Sequence, residues 1–397
     1  MLKVQRLLRP GFSYLRVLRQ SPPSDKQAPA PESPVVYEAK HSYGQAGILN
    51  SVLENINTDI QFKTIWEDHA LLKLHSHHPA LNNYLNFEEE EMNCYLIDSQ
   101  LPETLQNIEK ALITAEIPEY YSINLVNRGS VGFVSSEVSS KLCGNVKVKL
   151  LDEGSKFAAK KIKAEFFEAH INKGAFEIGT FLESAQFFLT SKDIKVNVKR
   201  FGISSTADFD IEKGDLQFGS IYIGNYGPGK VQQKAKTHVI NVSNEMDPAD
   251  KIAHDLGNVI KEGNYMSVVA DELKLDVGHW QGPTVINADK ADINLTSYEG
   301  EQFVVKANRG NVVFNLSNCA EGLISLNEGS LKLLVDEKFD VNLYSYREKK
   351  YIGGQEFVPG RPVVLLCLGE NVKLNIERSK RLSIFERFSR LKQQQES

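Results

Sequence analysis

From Ile123 to Gly224 apolar and polar positions alternate in short runs, and each run follows a similar turn. Val146, Val148 and Leu150 share one parity, as do Phe176 with Ile178, Phe187 with Leu189, and Ile194 with Val196 and Val198. Leu216 and Phe218 continue the pattern, followed by Ile221 and Ile223. It returns in the second half at Leu273, Leu275 and Val277, at Ile293 and Leu295, at Phe303 and Val305, and at Val312, Phe314 and Leu316. Leu331, Leu333 and Val335, then Val341 and Leu343, close the series. Lys, Asp, Asn, Ser and Glu fill most positions between. Period-two alternation predicts strands with one buried face.

The turns supply a ruler. Asn127-Arg128-Gly129, Asn172-Lys173-Gly174, Glu212-Lys213-Gly214, Asn308-Arg309-Gly310 and Asn327-Glu328-Gly329 each lead from a polar residue through glycine towards an apolar run. Gly129 to Gly174 spans 45 residues, Gly174 to Gly214 spans 40, and Gly310 to Gly329 spans 19. These are one or two multiples of roughly twenty, the period of coiled β arrays. Each glycine is expected at a positive φ. A sandwich or barrel also gives frequent turns. The coil-length period and the scarcity of tight Asn-Gly or Asp-Gly hairpin signals favour an all-β fold built as a β-solenoid, in which stacked coils bury a continuous stripe.

Around this array the chain divides by pattern. Residues 117–378 are read as the solenoid, with a loop inserted at 241–265. In that loop Asp247-Pro248 followed by Ile252, Leu256, Val259 and Ile260 predicts a helix. Residues 35–116 read as a small β-rich domain with one or two short helices. Its strands are expected at Asp59–Lys63, Ala70–Leu74 and Met92–Ile97, and its helices at Leu105, Ile108, Leu112 and Ile113 and at Ile48, Val52 and Ile56. Residues 21–34 hold five prolines and read as a linker. Residues 379–397 read as a basic amphipathic helix. Ser383 and Glu386 have the capping-box spacing, and Ile384, Phe385, Phe388 and Leu391 fall on one arc apart from Arg387, Arg390 and Lys392.

The turns of the form x-Lys/Arg-Gly-x-apolar-x-apolar, with strands such as Lys195-Val196-Asn197-Val198 and Asp292-Ile293-Asn294-Leu295, resemble the putative-adhesin β-solenoid domain, a domain of unknown function. The whole layout resembles the mitochondrial-type animal members of that family. They carry a presequence, an N-terminal β-rich portion, the solenoid and a short basic aromatic tail. The matching pieces are Ala115-Glu116-Ile117-Pro118 leading into Ile123, the strand series to about Leu343, and the tail around Arg378 to Leu391, so the resemblance covers residues 115–391. It implies a fold and a mitochondrial address. It implies no activity, no cofactor and no catalytic residue.

Composition narrows the function classes. A hydrophobic share of 41% supplies ample core, and a net charge of −5 gives no global basic field for nucleic acid. The longest apolar run, Val363 to Leu368, is far too short for a bilayer core of about 30 Å. No catalytic, cofactor-binding or metal-binding residue is assigned. His75, His77 and His78 with Glu88–Glu91 offer metal-ligand chemistry, but a strand places only His75 and His77 on one face. The plainer reading is a solvated His loop and a solvated acidic loop. Cys94, Cys143, Cys319 and Cys367 form no C-x-x-C and behave as small buried hydrophobes. The turn from Gly224 to Lys230 lacks the Gly-Lys-Ser/Thr of a phosphate loop, and Trp280 reads as a plug rather than a stacking platform.

Three classes compete. The first is a non-catalytic structural or protein-binding solenoid of mitochondria, in the matrix or at the inner-membrane periphery, with an unidentified protein partner, possible membrane-surface contact through the C-terminal tail and no nucleic acid. The second is a β-helix enzyme or lectin-like module acting on an acidic polysaccharide, which would need paired carboxylates or a Ca²⁺-binding acidic cluster. The third is a secreted adhesin-like protein, for which Asn241-Val242-Ser243, Asn294-Leu295-Thr296 and Asn315-Leu316-Ser317 would be glycan acceptors. The address favours the first. Lys3, Arg6, Arg9, Arg16 and Arg19 are interleaved with Leu2, Leu7, Leu8, Phe12, Leu15 and Leu18, with no acid before Asp25, as in a mitochondrial presequence at residues 1–20. N-terminal sequencing of the mature protein is expected to begin between Arg19 and Gln27; recovery of Met1 would reject the presequence.

Overall fold

In the computed structural model, residues 33–44, 46–105, 109–133, 143–224, 249–352 and 358–379 are described. The N-terminal third lays down β1 (Val35–His41), β2 (Ile48–Leu53), β3 (Thr58–Ile65), β4 (Ala70–His75), β5 (Leu85–Glu90), β6 (Asn93–Asp98), β7 (Ala111–Pro118), β8 (Ser122–Asn127) and β9 (Val131–Phe133). Next come β10 (Cys143–Leu150), the long winding β11 (Ser155–Ile223), helix α1 (Ala249–Lys261), β12 (Tyr265–Gln281), β13 (Thr284–Glu299), β14 (Gln302–Asn318) and β15 (Glu321–Asp336). The short β16 (Asn342–Ser345) and β17 (Lys350–Tyr351) precede β18 (Val363–Ser379).

Parallel ladders join β12 to β13, β13 to β14, β14 to β15 and β15 to β18. Thr284 stands beside Phe303, and Phe303 beside Gly322, so the coils from β13 to β14 and from β14 to β15 each advance 19 residues, against 18 from Met266 in β12 to Thr284. The all-β solenoid expected from the period is the fold found. Each coil contributes one strand to face A and one to face B. Face A runs through β6, β2, β8, β10 and the first halves of β12–β15 and β18; face B runs through β7, β3, β9 and the second halves.

The inner residues of both faces form one core. Its axis in the first half is a column of rings. Phe62, Phe133, Phe157, Phe176, Phe187 and Phe201 follow one another with centroids 4.9–5.8 Å apart, within the range of favourable aromatic pairs. Trp280, Tyr298, Phe303 and Phe314 continue the packing further on, with Trp280 fully buried as a plug.

The glycine corners need correction. Gly310 and Gly329 take positive φ, 141° and 120°, and a Cβ on Gly329 would lie 1.9 Å from the Gly310 carbonyl oxygen. Gly129, Gly174 and Gly214 do not take positive φ. At Gly129 and Gly174 the constraint is proximity: a Cβ would come within 1.9 Å of the carbonyls of Thr58 and Ser155 in the neighbouring coil. The same residue type thus answers two different demands at one corner.

The β-rich residues 35–116 pair directly with the strands that follow them. The boundary expected at 116 falls inside β7, and β2 pairs directly with β8 and β3 with β9. The expected strands are present as β3, β4 and β6, but the expected helices are strands and turns. Ile48 and Val52 lie in β2, whose buried residues are the opposite set, Leu49, Ser51 and Leu53. An i, i+4 spacing is also an even spacing, so it fits a strand equally well. Leu112 and Ile113 lie in β7, where the buried stripe is Ala111, Ile113, Ala115 and Ile117. Short 3-10 turns occur instead at Pro79–Tyr84 and Glu103–Leu105. Asp98 holds the turn between β2 and β3, accepting hydrogen bonds from the backbone N–H of Glu54, Asn55 and Ile56 at 3.1, 2.7 and 2.6 Å.

The N-terminal end is finished by antiparallel strands. β1 pairs with β4, β4 with β7, and β5 with β6. Glu88, Glu89 and Glu90, expected in an acidic loop, belong to β5, where exposed charge protects a sheet edge. Beneath it His41 donates from Nε2 to the Glu91 carbonyl at 3.0 Å and accepts the Tyr121 hydroxyl at Nδ1, 2.9 Å away.

The helix expected within 241–265 is α1, and strand pairing resumes at Tyr265. Residues 1–20, read as a presequence, residues 21–32 of the expected linker, the turn after Gly224, residues 241–248 of the inserted loop and the tail beyond Ser379 lie outside the described residues. Residues 344–351 form an antiparallel hairpin in which Tyr344 faces Tyr351.

The register sets the expected stability pattern. Phe187→Ala and Ile293→Ala empty core positions and should each cost about 2–5 kcal/mol, while the exposed Lys192→Ala and Asp292→Ala should stay within about 0.5 kcal/mol. Denaturant unfolding of the four variants tests this, and greater damage from the outer pair would invert the register.

Candidate functional site

Outward positions of face B stack into columns. Gln61, Gly132 and Ala158 are register partners in successive coils, followed in the same groove by Glu177 and Asn197. Small residues at Gly132 and Ala158 leave a dent between longer neighbours. The adjacent column adds Gly179 beside Lys160 and Gly219 beside Lys199. Together they form an open groove of ≈ 720 Å³ that crosses the coils. Its floor is backbone and small side chains; its walls are polar and charged. Lys156 braces Glu177 at 2.6 Å, so the acid on the wall is held in place from below.

The glycines of this groove differ in what they allow. A Cβ at Gly132 would meet nothing closer than the Ile60 carbonyl at 4.0 Å, and one at Gly179 would be in ordinary contact at 3.8 Å. At Gly219 it would come within 2.5 Å of the Lys199 carbonyl. Gly219 is therefore required by the coil, whereas Gly132 and Gly179 leave free space.

Face A carries a polar network on its outer side. His170 Nε2 lies 2.8 Å from Glu168 Oε1, His170 Nδ1 contacts the Thr190 hydroxyl, and Lys147 Nζ lies 3.4 Å from Glu168 Oε2. Burial alone would raise the Glu168 carboxyl, but hydrogen bonds from His170 and Lys147, with their charges, outweigh it and hold the group below its ordinary value. The carboxylate–imidazole–hydroxyl order is that of a nucleophilic relay. Such a relay also needs donors aimed at a developing oxyanion. Here the backbone donors of these strands are engaged in the ladders between coils. The network is read as a side-chain ladder that ties adjacent coils. Similar ties run up face B, where Asn311 donates to Asp292 at 3.0 Å and Ser330 to Asn311 at 2.7 Å.

The sequence candidates do not converge. His75 is buried and its Nε2 lies 3.0 Å from Thr114 Oγ1, while His77 is exposed in the following loop. Among the described residues no three His, Cys, Asp or Glu side chains are grouped as a metal would require. Cys94, Cys319 and Cys367 are buried free thiols, and burial followed by the charge of Glu89 pushes Cys94 up to about 12. Asn294 and Asn315 are on the outer surface, donating to Asp276 and to the Thr296 carbonyl.

Sequence reasoning missed a second apolar cluster. Val285, Val304, Leu323 and Leu365 are register partners on the outer side of face A, and α1 covers this pad with Leu256 and Ile260. The signal was present as unbroken apolar runs, Phe303-Val304-Val305 and Val363–Leu368, where alternation lapses because both strand faces are buried.

Neither a known protein family nor a curated protein matches the sequence. Some solved structures are similar at low identity and low TM-score. A putative adhesin from Parabacteroides distasonis is 8% identical, with 88% of this chain and 98% of that chain covered at a TM-score of 0.30. A putative adhesin from Bacteroides fragilis is 8% identical over 86% and 96%, TM-score 0.28. A putative lipid binding protein from Parabacteroides distasonis is 10% identical over 86% and 96%, TM-score 0.24.

The face A network gives a pH prediction. Glu168 has a folded pKa below its unfolded one, so its pairing stabilises the chain above the ordinary carboxylate range and is lost as pH falls through the lowered value. Glu168→Gln should lower Tm at neutral pH, by no more than the equivalent of about 1 kcal/mol for a partly exposed pair, and the gap should close in acid. An equal gap at neutral and strongly acid pH would show that the charge contributes nothing.

Proposed function

We propose that the protein is a non-catalytic binding solenoid of mitochondria whose face B groove receives an extended segment of a protein partner. The groove carries the reading. It crosses successive coils, so it suits a long ligand better than a compact substrate, and its glycine and alanine floor admits another backbone at close range. Lys160, Glu177 and Lys199 on its walls supply both signs of charge for register. The Lys156–Glu177 ion pair on the groove wall supports a surface that is pre-organised rather than moulded on binding. The address is supported by the Arg-rich, acid-free residues 1–20.

The glycine geometry supplies the test. Gly132→Leu with Gly179→Leu fills the groove at two positions where a side chain fits. Proximity labelling in intact mitochondria should recover a set of neighbours with the native chain and lose part of it with the double variant, while Tm stays close to native. The same neighbours from the folded double variant would reject the groove as the binding surface. Absence of the native chain from mitochondria would reject the address independently.

A further inference from the structure

The solenoid's C-terminal end differs from its N-terminal one. β18 is the last strand of the ladder. Residues 363–366 of it are flanked by β15 on one side and β16 on the other. Residues 371–379 pair with β15, and among the described residues no strand lies on their other side. The inner stripe is left open at the same place. Val372, Leu374 and Ile376 are the register partners of Gly329, Leu331 and Leu333. Leu331 and Leu333 are 0% exposed, whereas Leu374 is 39% exposed and Val372 and Ile376 are only partly covered. On the outer face Asn375 donates to Glu377 at 2.8 Å, and Lys332 lies 3.2 Å from Glu377. What this coil lacks is an apolar cover.

The chain itself carries one at the right distance. It leaves β18 at Ser379, and Ser383 follows after only Lys380, Arg381 and Leu382. From Ser383 the capping box and the arc of Ile384, Phe385, Phe388 and Leu391 predict an amphipathic helix. Nine residues of helix, 383–391, run about 13 Å at 1.5 Å per residue. The stripe from Val372 to Ile376 spans about 13 Å at 3.3 Å per residue. Lengths therefore match, and Arg387, Arg390 and Lys392 would remain in water.

We propose that the open stripe Val372, Leu374 and Ile376 is a docking surface for the chain's own segment Ser383–Leu391, which seals the C-terminal end of the solenoid. This does not rest on the groove or on the address. Sealing serves two needs: it removes apolar surface from water, and it shields a strand edge that would otherwise template association.

The test uses the full chain and hydrogen exchange. Phe385→Asp with Phe388→Asp should speed exchange of residues 371–379 by about tenfold or more, leave β12–β14 unchanged and lower Tm. Leu374→Asp should do the same, and combining it with the tail substitutions should add little further, because both break one contact. The tail substitutions lie beyond the coils, so the result stands even if Leu374→Asp fails to fold. Three outcomes overturn the proposal. The first is unchanged exchange and Tm in the tail variant. The second is loss of binding to cardiolipin-containing vesicles as its only effect. The third is protection of residues 371–379 in the native chain that rises with protein concentration, which would make a second copy the occupant.

Discussion

The backbone ladder between successive coils is the constraint on which everything else depends. A single coil of 19 residues has two short strands and cannot enclose a core. It gains one only when the next coil stacks on it in register, extending both the ladder and the inner stripe. The phenylalanine column expresses this: each ring from Phe62 to Phe201 is covered by a ring from a neighbouring position in the stack. The glycine corners follow from the same demand. Two coils can approach closely enough to keep the ladder only if the corner carries no Cβ, and Gly129, Gly174, Gly310 and Gly329 meet that condition through different backbone conformations.

A ladder that can always be extended must be stopped. At the N-terminal end β1, β4 and β5 reverse direction, and the glutamates of β5 make the edge unattractive to another strand. At the C-terminal end β18 exposes its stripe, and the protection there has to come from outside the described coils. Insertions obey the same geometry. Both α1 and the β16–β17 hairpin lie between a face B strand and the next face A strand, where the chain leaves the stack without breaking the ladder. α1 returns onto the outer pad of Val304, Leu323 and Leu365, so it joins the core energetically while remaining outside the coils.

The outer surface is ordered by this repetition too. Stacking brings one residue of each coil into line, and Asn, Asp, Ser and Lys then tie to their equivalents one coil away. Where the aligned residues are small, as at Gly132, Ala158 and Gly179, the same alignment leaves a groove. Surface chemistry in such a fold is a property of columns, and the groove is one product of their alignment.

How much of this was legible in the chain follows from the range of each interaction. Alternation is local, so the inner stripe at Val146, Phe187, Ile293 and Leu331 and the coil period could be read directly. Helix α1 was legible for the same reason, through Leu256, Val259 and Ile260. At Ile48 and Val52 local spacing fitted both a helix and a strand, and pairing of β2 with β8, more than seventy residues later, decided it. That pairing also ties residues 35–116 to the coils that follow, through contacts that no local window contains. The groove needed more still: Gly132 and Gly179 come together through coils of unequal length, and their register is fixed by backbone hydrogen bonds. The sequence determined what each residue prefers to face; the tertiary structure alone decided which residues face it together, because stacking register is set by pairing between distant segments and leaves no periodic trace within either one.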